Sequence, residues 1–278
     1  MNTKHVKRPL FIRIAAIGLE AFYRLLPKKA YNAFYRFAFP RYKALQRRRY
    51  RAQASRRPDA DERRTALVFK CLEFSLVGWQ GLEVTYDCTR RAIADRVPGA
   101  LVECGVAQGG SALLLALINR EFGRDERMLW LFDSYQGLPD PTKDDYEGDK
   151  TGTHVRPLPK GSCLGTYEEV SRLLFVHNQI SSQAISMVKG WFQDTLPVTR
   201  SKIGPIAVLR LDGDWYESTK VCFENLFDQV SNNGFVILDD YFSCFGCKKA
   251  TDEFLAARGK TYPIIPDGRG GAYFQVRN

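Results

Sequence analysis

The chain has 278 residues, 45% of them hydrophobic and 13% aromatic, enough for one large buried core plus an extension. That composition excludes wholesale disorder, a collagen repeat and a coiled coil, and seven cysteines without a compact spacing favour reduced thiols in a cytosol over a disulfide framework. The net charge of +10 is unevenly placed: residues 1–64 hold 18 Lys/Arg against four acids, and the remainder holds 23 against 27, so a basic extension is joined to a mildly acidic globule.

Between Pro9 and Pro27 runs a mostly apolar stretch, Leu10 to Leu26, whose charges Arg13, Glu20 and Arg24 fall on one narrow helical stripe. Seventeen residues with three interior charges are poorly suited to a bilayer span and suit a helix lying in a membrane interface. These charges, and the absence of a small-residue cleavage site, also argue against a secretory signal. Lys28 and Lys29, the aromatics Tyr31, Phe34, Tyr35, Phe37 and Phe39, and Arg47, Arg48, Arg49 and Arg51 continue the mixture of apolar anchors and cations that suits anionic headgroups. The alternatives are an arm packed on the globule, an arm forming a homo-oligomer, and, least favoured, nucleic acid. Residues 52–64 look like a linker, which places the boundary near Thr65, with an extension over 1–64 and a domain over 65–278.

In the globule, helical stretches at 65–75 and 89–96 lead to the turn Val97, Pro98, Gly99. Short apolar runs then recur at 100–106, 128–132, 185–188, 206–211, 235–238, 262–265 and 272–276, with helical segments at 111–122, 167–174, 218–230 and 248–258 between most of them. Runs this short and apolar fit strands buried on both faces, and their alternation with helices predicts a doubly wound α/β fold with a mostly parallel seven-stranded sheet. The turn-rich 266–271 segment joins the last two runs as an antiparallel hairpin at the edge. The long polar stretch 139–165 reads as a lid.

The motif ECGVAQGGS ends the first strand at Glu103 and opens the next helix at Gly109, Gly110 and Ser111, with Asp133 ending the second strand. This is the layout of a nucleoside-cofactor site at the carboxyl edge of a sheet. Its glycines do not have the dinucleotide spacing. A carboxylate at Glu103 would repel a pyrophosphate but suits the cationic S-adenosylmethionine, while Asp133 can accept from ribose hydroxyls. An ordinary glycine turn with two incidental acids is the other reading. Farther on, Asp212 and Asp214 follow the fourth strand and Asp239 and Asp240 end the fifth. Carboxylates meeting at one edge call for a cation, and oxygen-only ligands favour Mg²⁺ or Ca²⁺. They could instead cap helices.

Together ECGVAQGGS, FDSYQGLPDP, GWFQDTLP, LRLDGDWYEST, GFVILDDY and GGAYFQV resemble the macrocin O-methyltransferase family over roughly residues 81–278. The resemblance implies a class I S-adenosylmethionine-dependent, Mg²⁺-dependent enzyme methylating a sugar hydroxyl. It implies Asp212, Asp239 and Asp240 as metal ligands, Glu103, Gly105, Ser111, Asp133 and Ser134 as cofactor contacts, and Gly190, Trp191 and Phe192 on the adenine side. Asp212 is then the expected proton acceptor, with His154 in the lid as a second. The CxxC at Cys244 and Cys247 cannot complete a zinc site alone. A glycosyltransferase using Asp212, Gly213 and Asp214 as a DxD-like motif, or an RNA methyltransferase using the basic arm, are the rival readings. The expected setting is cytoplasmic, peripheral on the inner membrane face, with a lipid-linked or envelope glycan as acceptor.

Overall fold

The computed structural model describes residues 28–56, 61–148, 150–153 and 160–277; His154 and the stripe-bearing stretch before Pro27 lie outside the described residues. Two compact units are present, Met1–Tyr42 and Lys43–Asn278. Helix α1 (Lys28–Ala54) carries Pro40 within it.

In the second unit the division falls well before the expected boundary near Thr65. Tyr50 is 1% exposed in the core and stacks on Trp79 at 5.7 Å between centroids. Arg47 and Arg51, expected on an anionic surface, lie over the Phe69 ring at 4.5 and 4.6 Å, whereas Arg48 and Arg49 are exposed. Residues 47–51, read as part of the basic extension, therefore pack within this unit, because one aromatic in an otherwise basic run supplies a docking point.

Helix α2 (Glu62–Cys71) starts at the Asp61 cap, whose carboxylate accepts from Arg64 N at 3.0 Å. Helix α3 spans Trp79–Ala94, longer than the 89–96 stretch read from sequence because its first turns carry Gly81 and β-branched residues. Then follow β1 (Ala100–Cys104), α4 (Gly110–Phe122), β2 (Leu129–Asp133), α5 (Tyr167–Ser171) continued by a π-helical stretch (Arg172–His177), and β3 (Ile185–Lys189). Helix α6 (Phe192–Ile203), not anticipated, contains Pro197. The chain closes with β4 (Ile206–Leu211), α7 (Tyr216–Leu226), β5 (Val230–Leu238), α8 (Phe245–Ala257), β6 (Ile265–Pro266) and β7 (Ala272–Gln275).

The seven strands lie in the order β3-β2-β1-β4-β5-β7-β6. The first five are parallel, and β7 pairs antiparallel with both β5 and β6, giving the expected doubly wound sheet with an antiparallel edge. Side chains alternate between two cores: Leu101, Leu131 and Val208 pack towards α3 and α4, while Val102, Phe132 and Leu209 pack towards α6 and α7. The strand order reverses between β1 and β4, which opens a crevice outside their carboxyl ends.

The 139–165 segment is not structureless where it is described. Thr142 and Asp145 form a capping box around a 3₁₀ turn at Lys143–Asp145. Asp145 is fully buried; its Oδ1 accepts the Tyr216 N–H at 2.6 Å and its Oδ2 the Thr142 N–H at 2.7 Å. The Phe245 N–H donates to Thr151 O at 2.9 Å, and the Trp215 indole N–H to Pro139 O at 3.1 Å. The segment is thus fastened to the first residues of α7 and α8.

Candidate active site

The site begins with how β1 ends. Cys104 O accepts from Asp212 N at 2.8 Å, and Gly105 N donates to Phe132 O at 2.9 Å, so the three strand ends are tied side by side. Gly105 (φ +94°) passes so close to Asp212 that a Cβ would lie 1.8 Å from the Asp212 carbonyl oxygen. Gly109 caps α4 at φ +86°, and Gly110 packs on Ser75 with the buried Ser111 beside it. The glycines of this turn therefore meet other parts of the chain.

Asp133 ends β2 and clamps the turn: Oδ2 accepts from Val106 N (2.7 Å) and Ala107 N (3.0 Å), and Oδ1 from Tyr135 N (2.6 Å). Ser134 accepts from Gln136 N at 3.1 Å and stabilises the bend that follows. Gly190 N donates to Asp133 O at 2.9 Å, which brings the Gly190, Trp191, Phe192 group beside Asp133. The Phe192 ring comes within 3.3 Å of where a Gly213 Cβ would stand. All these expected residues share one rim.

Beneath the rim lies a residue to which sequence reasoning gave no task. Arg210, on β4, is completely buried. Its Nη1 donates to Glu103 Oε1 (3.1 Å) and Asp212 Oδ2 (2.8 Å), and its Nη2 to Asp239 Oδ1 (2.8 Å). From the hairpin between β6 and β7, Arg269 Nη1 donates to Asp239 Oδ2 at 2.9 Å. The signal was a lone cation inside a continuous apolar run, LRLD, which an uncharged core would not tolerate unpaired. Glu103, expected to face a cationic ligand, is itself wholly buried; its Oε2 has no hydrogen-bond partner among the described residues and leaves one acceptor at the floor of the turn.

The carboxylates differ sharply. Burial pushes Glu103 up to about 7 against the pull of Arg210. Burial, then repulsion from Asp239, raises Asp212 to about 6, and burial with Asp212 and Asp239 raises Asp214 to about 8. Asp240 is raised well above the ordinary range by burial and then by Asp214 and Asp239. Burial acts on Asp239 as well, yet the Arg269 and Arg210 guanidiniums hold it below the usual range.

One ligand oxygen each of Asp212, Asp239 and Asp240 lies within 4.8 Å of the others. Asp240 Oδ1 accepts from Ser243 Oγ at 2.9 Å, while its buried Oδ2 has no hydrogen-bond partner among the described residues. Five acids, Glu103, Asp212, Asp214, Asp239 and Asp240, face two guanidiniums here, so the donor set fits a hard divalent cation. The same rim, with acceptor carboxylates at Glu103 and Asp133 flanking a glycine turn, fits a cationic nucleoside cofactor.

This sheet order and crevice define a class I methyltransferase fold. The sequence model for Macrocin-O-methyltransferase (TylF) matches residues 20–276, and the chain belongs to that family. The match begins well before the motifs and takes in much of the extension, for which the motif pattern showed no counterpart. The demethyldecarbamoylnovobiocin O-methyltransferase of Streptomyces niveus is 40% identical over 202 residues, 72% of this chain and 75% of that protein. A tetracenomycin-pathway relative from Streptomyces olivaceus, the 8-demethyl-8-(2,3-dimethoxy-alpha-L-rhamnosyl)-tetracenomycin-C 4'-O-methyltransferase, is 35% identical over 214 residues, covering 77% and 80%. The structure of the O-methyltransferase NovP superposes with a TM-score of 0.66 at 38% identity over 74% of this chain and 83% of that one. Family membership settles the class of reaction as O-methyl transfer and sets aside the glycosyltransferase reading, although Arg210 and Arg269 do place cations, of the kind a sugar-nucleotide diphosphate would need, beside the aspartates. Both are engaged by carboxylates.

Proposed function

We propose that the protein transfers a methyl group from S-adenosylmethionine to a sugar hydroxyl, with Mg²⁺ held by Asp212, Asp239 and Asp240. The observation that carries this reading is the buried, unpartnered Asp240 Oδ2 amid surplus negative charge at the β1–β4 crevice. In the proposed site Asp133 receives the ribose hydroxyls, Glu103 faces the cationic end, and Gly190, Trp191 and Phe192 border the adenine. When bound, the sulfonium supplies an activated methyl group, and the metal fixes the acceptor and lowers its pKa.

The chain's own part is to align the acceptor and receive its proton. Asp212 was the expected acceptor, but Arg210 donates to its Oδ2. Asp214 sits two residues on with φ +57°, only partly buried, with Cys244 Sγ 3.9 Å away from its Oδ1 and its carboxyl raised to about 8. Among the described residues no guanidinium donates to the Asp214 carboxylate, which also reaches the crevice, so we assign the role to Asp214. His154 lies outside the described residues.

Calorimetry with S-adenosylhomocysteine and with Mg²⁺, on the native chain and on Asp240→Asn, tests this. Asp240 is the better choice than Asp239, whose replacement would also break one ion pair to each guanidinium. We expect product-cofactor binding in both proteins and Mg²⁺ affinity at least about tenfold weaker in the variant. Absence of cofactor binding removes the methyltransferase site as drawn; undiminished Mg²⁺ affinity removes the metal assignment alone.

A cytoplasmic enzyme whose basic arm holds it at the inner membrane face, acting on a lipid-linked or envelope glycan, is the narrower form of the proposal. It rests on the charge of residues 1–64 and their apolar anchors. Among the described residues no helix is long and apolar enough to cross a membrane. The deletion that tests it ends at Tyr42, because a longer one would remove Tyr50 from the core. Loss of sedimentation with anionic vesicles and unchanged turnover of a small glycoside are expected. Unchanged sedimentation refutes membrane docking, and a fall in molecular mass by light scattering would assign the arm to a homo-oligomer.

A further inference from the structure

The all-oxygen cluster has a neighbour of different chemistry. Asp214, Asp240 and Cys244 each offer one ligand atom, and these three atoms also lie within 4.8 Å of one another. The turn after β5 fixes their relation: Cys244 N donates to Asp240 O at 2.9 Å, and Ser243 Oγ donates to Asp240 Oδ1, so Oδ2 is left buried and, among the described residues, unpartnered. Cys244 is 9% exposed and Asp240 6%, while the partly exposed Asp214 opens the group to the crevice.

We propose that Asp214, Asp240 and Cys244 form a second cation site, selective for thiophilic divalent ions such as Zn²⁺ or Cd²⁺, which shares Asp240 with the all-oxygen cluster. Ligand distances of about 2.0–2.3 Å place tetrahedral donors about 3.5 Å apart, so the three atoms need only a small contraction. A sulfur ligand favours softer ions than Mg²⁺, which keeps to oxygen. As the sulfur–metal bond forms, the thiol proton leaves to solvent. Three protein ligands leave a fourth position open, the arrangement of an exchangeable rather than a structural ion. Because Asp240 serves both clusters, a thiophilic ion and Mg²⁺ oppose each other, and the enzyme is shut down by trace ions that its oxygen ligands alone would hold poorly.

The site is read with the metal alone, independently of methyl transfer. Cd²⁺ is titrated into the metal-free full-length protein while the ultraviolet thiolate-to-metal band is followed. A band saturating at about one ion per chain is expected, diminished by excess Mg²⁺, lost in Cys244→Ser and kept in Cys247→Ser and Cys163→Ser. Asp214→Asn, which keeps every thiol, should weaken Cd²⁺ at least about tenfold. No band in the native chain, a band that survives Cys244→Ser, a Cd²⁺ affinity indifferent to Mg²⁺, or one unchanged in Asp214→Asn overturns the proposal. The Asp214→Asn result decides the matter should Cys244→Ser not fold.

Discussion

Replacing Arg210 with methionine is expected to lower the unfolding free energy of the metal-free protein by about 3–5 kcal/mol, the usual cost of removing one partner from a buried ion network. The substitution keeps most of the side-chain volume but strands Glu103 and Asp239, 0% and 4% exposed, without the guanidinium that bridges them. Urea unfolding of Arg210→Met, Glu103→Gln and the double variant separates charge from packing. The double variant should regain part of the loss, since one stranded carboxylate is gone. A loss below about 1 kcal/mol in Arg210→Met would mean that the strand ends are held by backbone hydrogen bonds alone.

The same network fixes the sign of the pH dependence. Glu103 rises from its ordinary 4.5 to about 7, Asp212 from 3.8 to about 6, and Asp214 from 3.8 to about 8. Between the ordinary and raised values the folded chain holds protons that the unfolded chain has released. Their contribution to stability is therefore complete below about pH 4 and is lost as the pH climbs towards 8. Asp239 has the opposite sign: held low, it stabilises above its ordinary 3.8 and loses that contribution in acid. Melting temperatures of the metal-free protein should accordingly peak in mild acid and decline towards pH 8, and Mg²⁺ should flatten the decline. A profile rising to pH 8 would contradict the network.

Gly105→Ala is expected to be of similar severity. The added methyl would stand 1.8 Å from the Asp212 carbonyl oxygen at a residue with φ +94°. Left-handed strain of about 1–3 kcal/mol adds to overpacking of about 1–3 kcal/mol, and because the obstructing atom is backbone, relief requires β1 and β4 to separate. Gly204→Ala is the control, since at φ +72° and ψ −153° it has, among the described residues, no atom within 4 Å of its Cβ, leaving about 1–3 kcal/mol of conformational cost without overpacking. Denaturant unfolding of the pair, with product-cofactor binding on Gly105→Ala, measures the difference. Equal losses would show that the strand-end approach is not tight.

The sheet was legible because its central strands β1 and β4 are buried along their whole length, and continuous apolar runs such as Ile206–Leu211 have few other uses. The rim aspartates were legible because parallel strands deliver their carboxyl ends to one edge. Arg210 was not, since pairing by periodicity treats a strand position as inward or outward and cannot see a partner on β1 or β5. Helix α6 went unanticipated: it is short and carries Pro197 inside it, a residue that disfavours helix interiors yet leaves this helix intact. Asp145 looked like one more charge in a polar loop. Its burial depends on Gly246, where a Cβ would meet its Oδ1 at 1.9 Å, a match between residues 101 positions apart.

That match ties two helix beginnings to the segment that lies over them. Tyr216 and Phe245, the leading residues of α7 and α8, both find their amide acceptors in the overlying chain, at Asp145 Oδ1 and Thr151 O. Displacing this segment would strip two helix beginnings of acceptors they cannot replace internally. Its displacement and the fraying of these two ends would consequently be a single event, at the same joints that bear the aspartate rim.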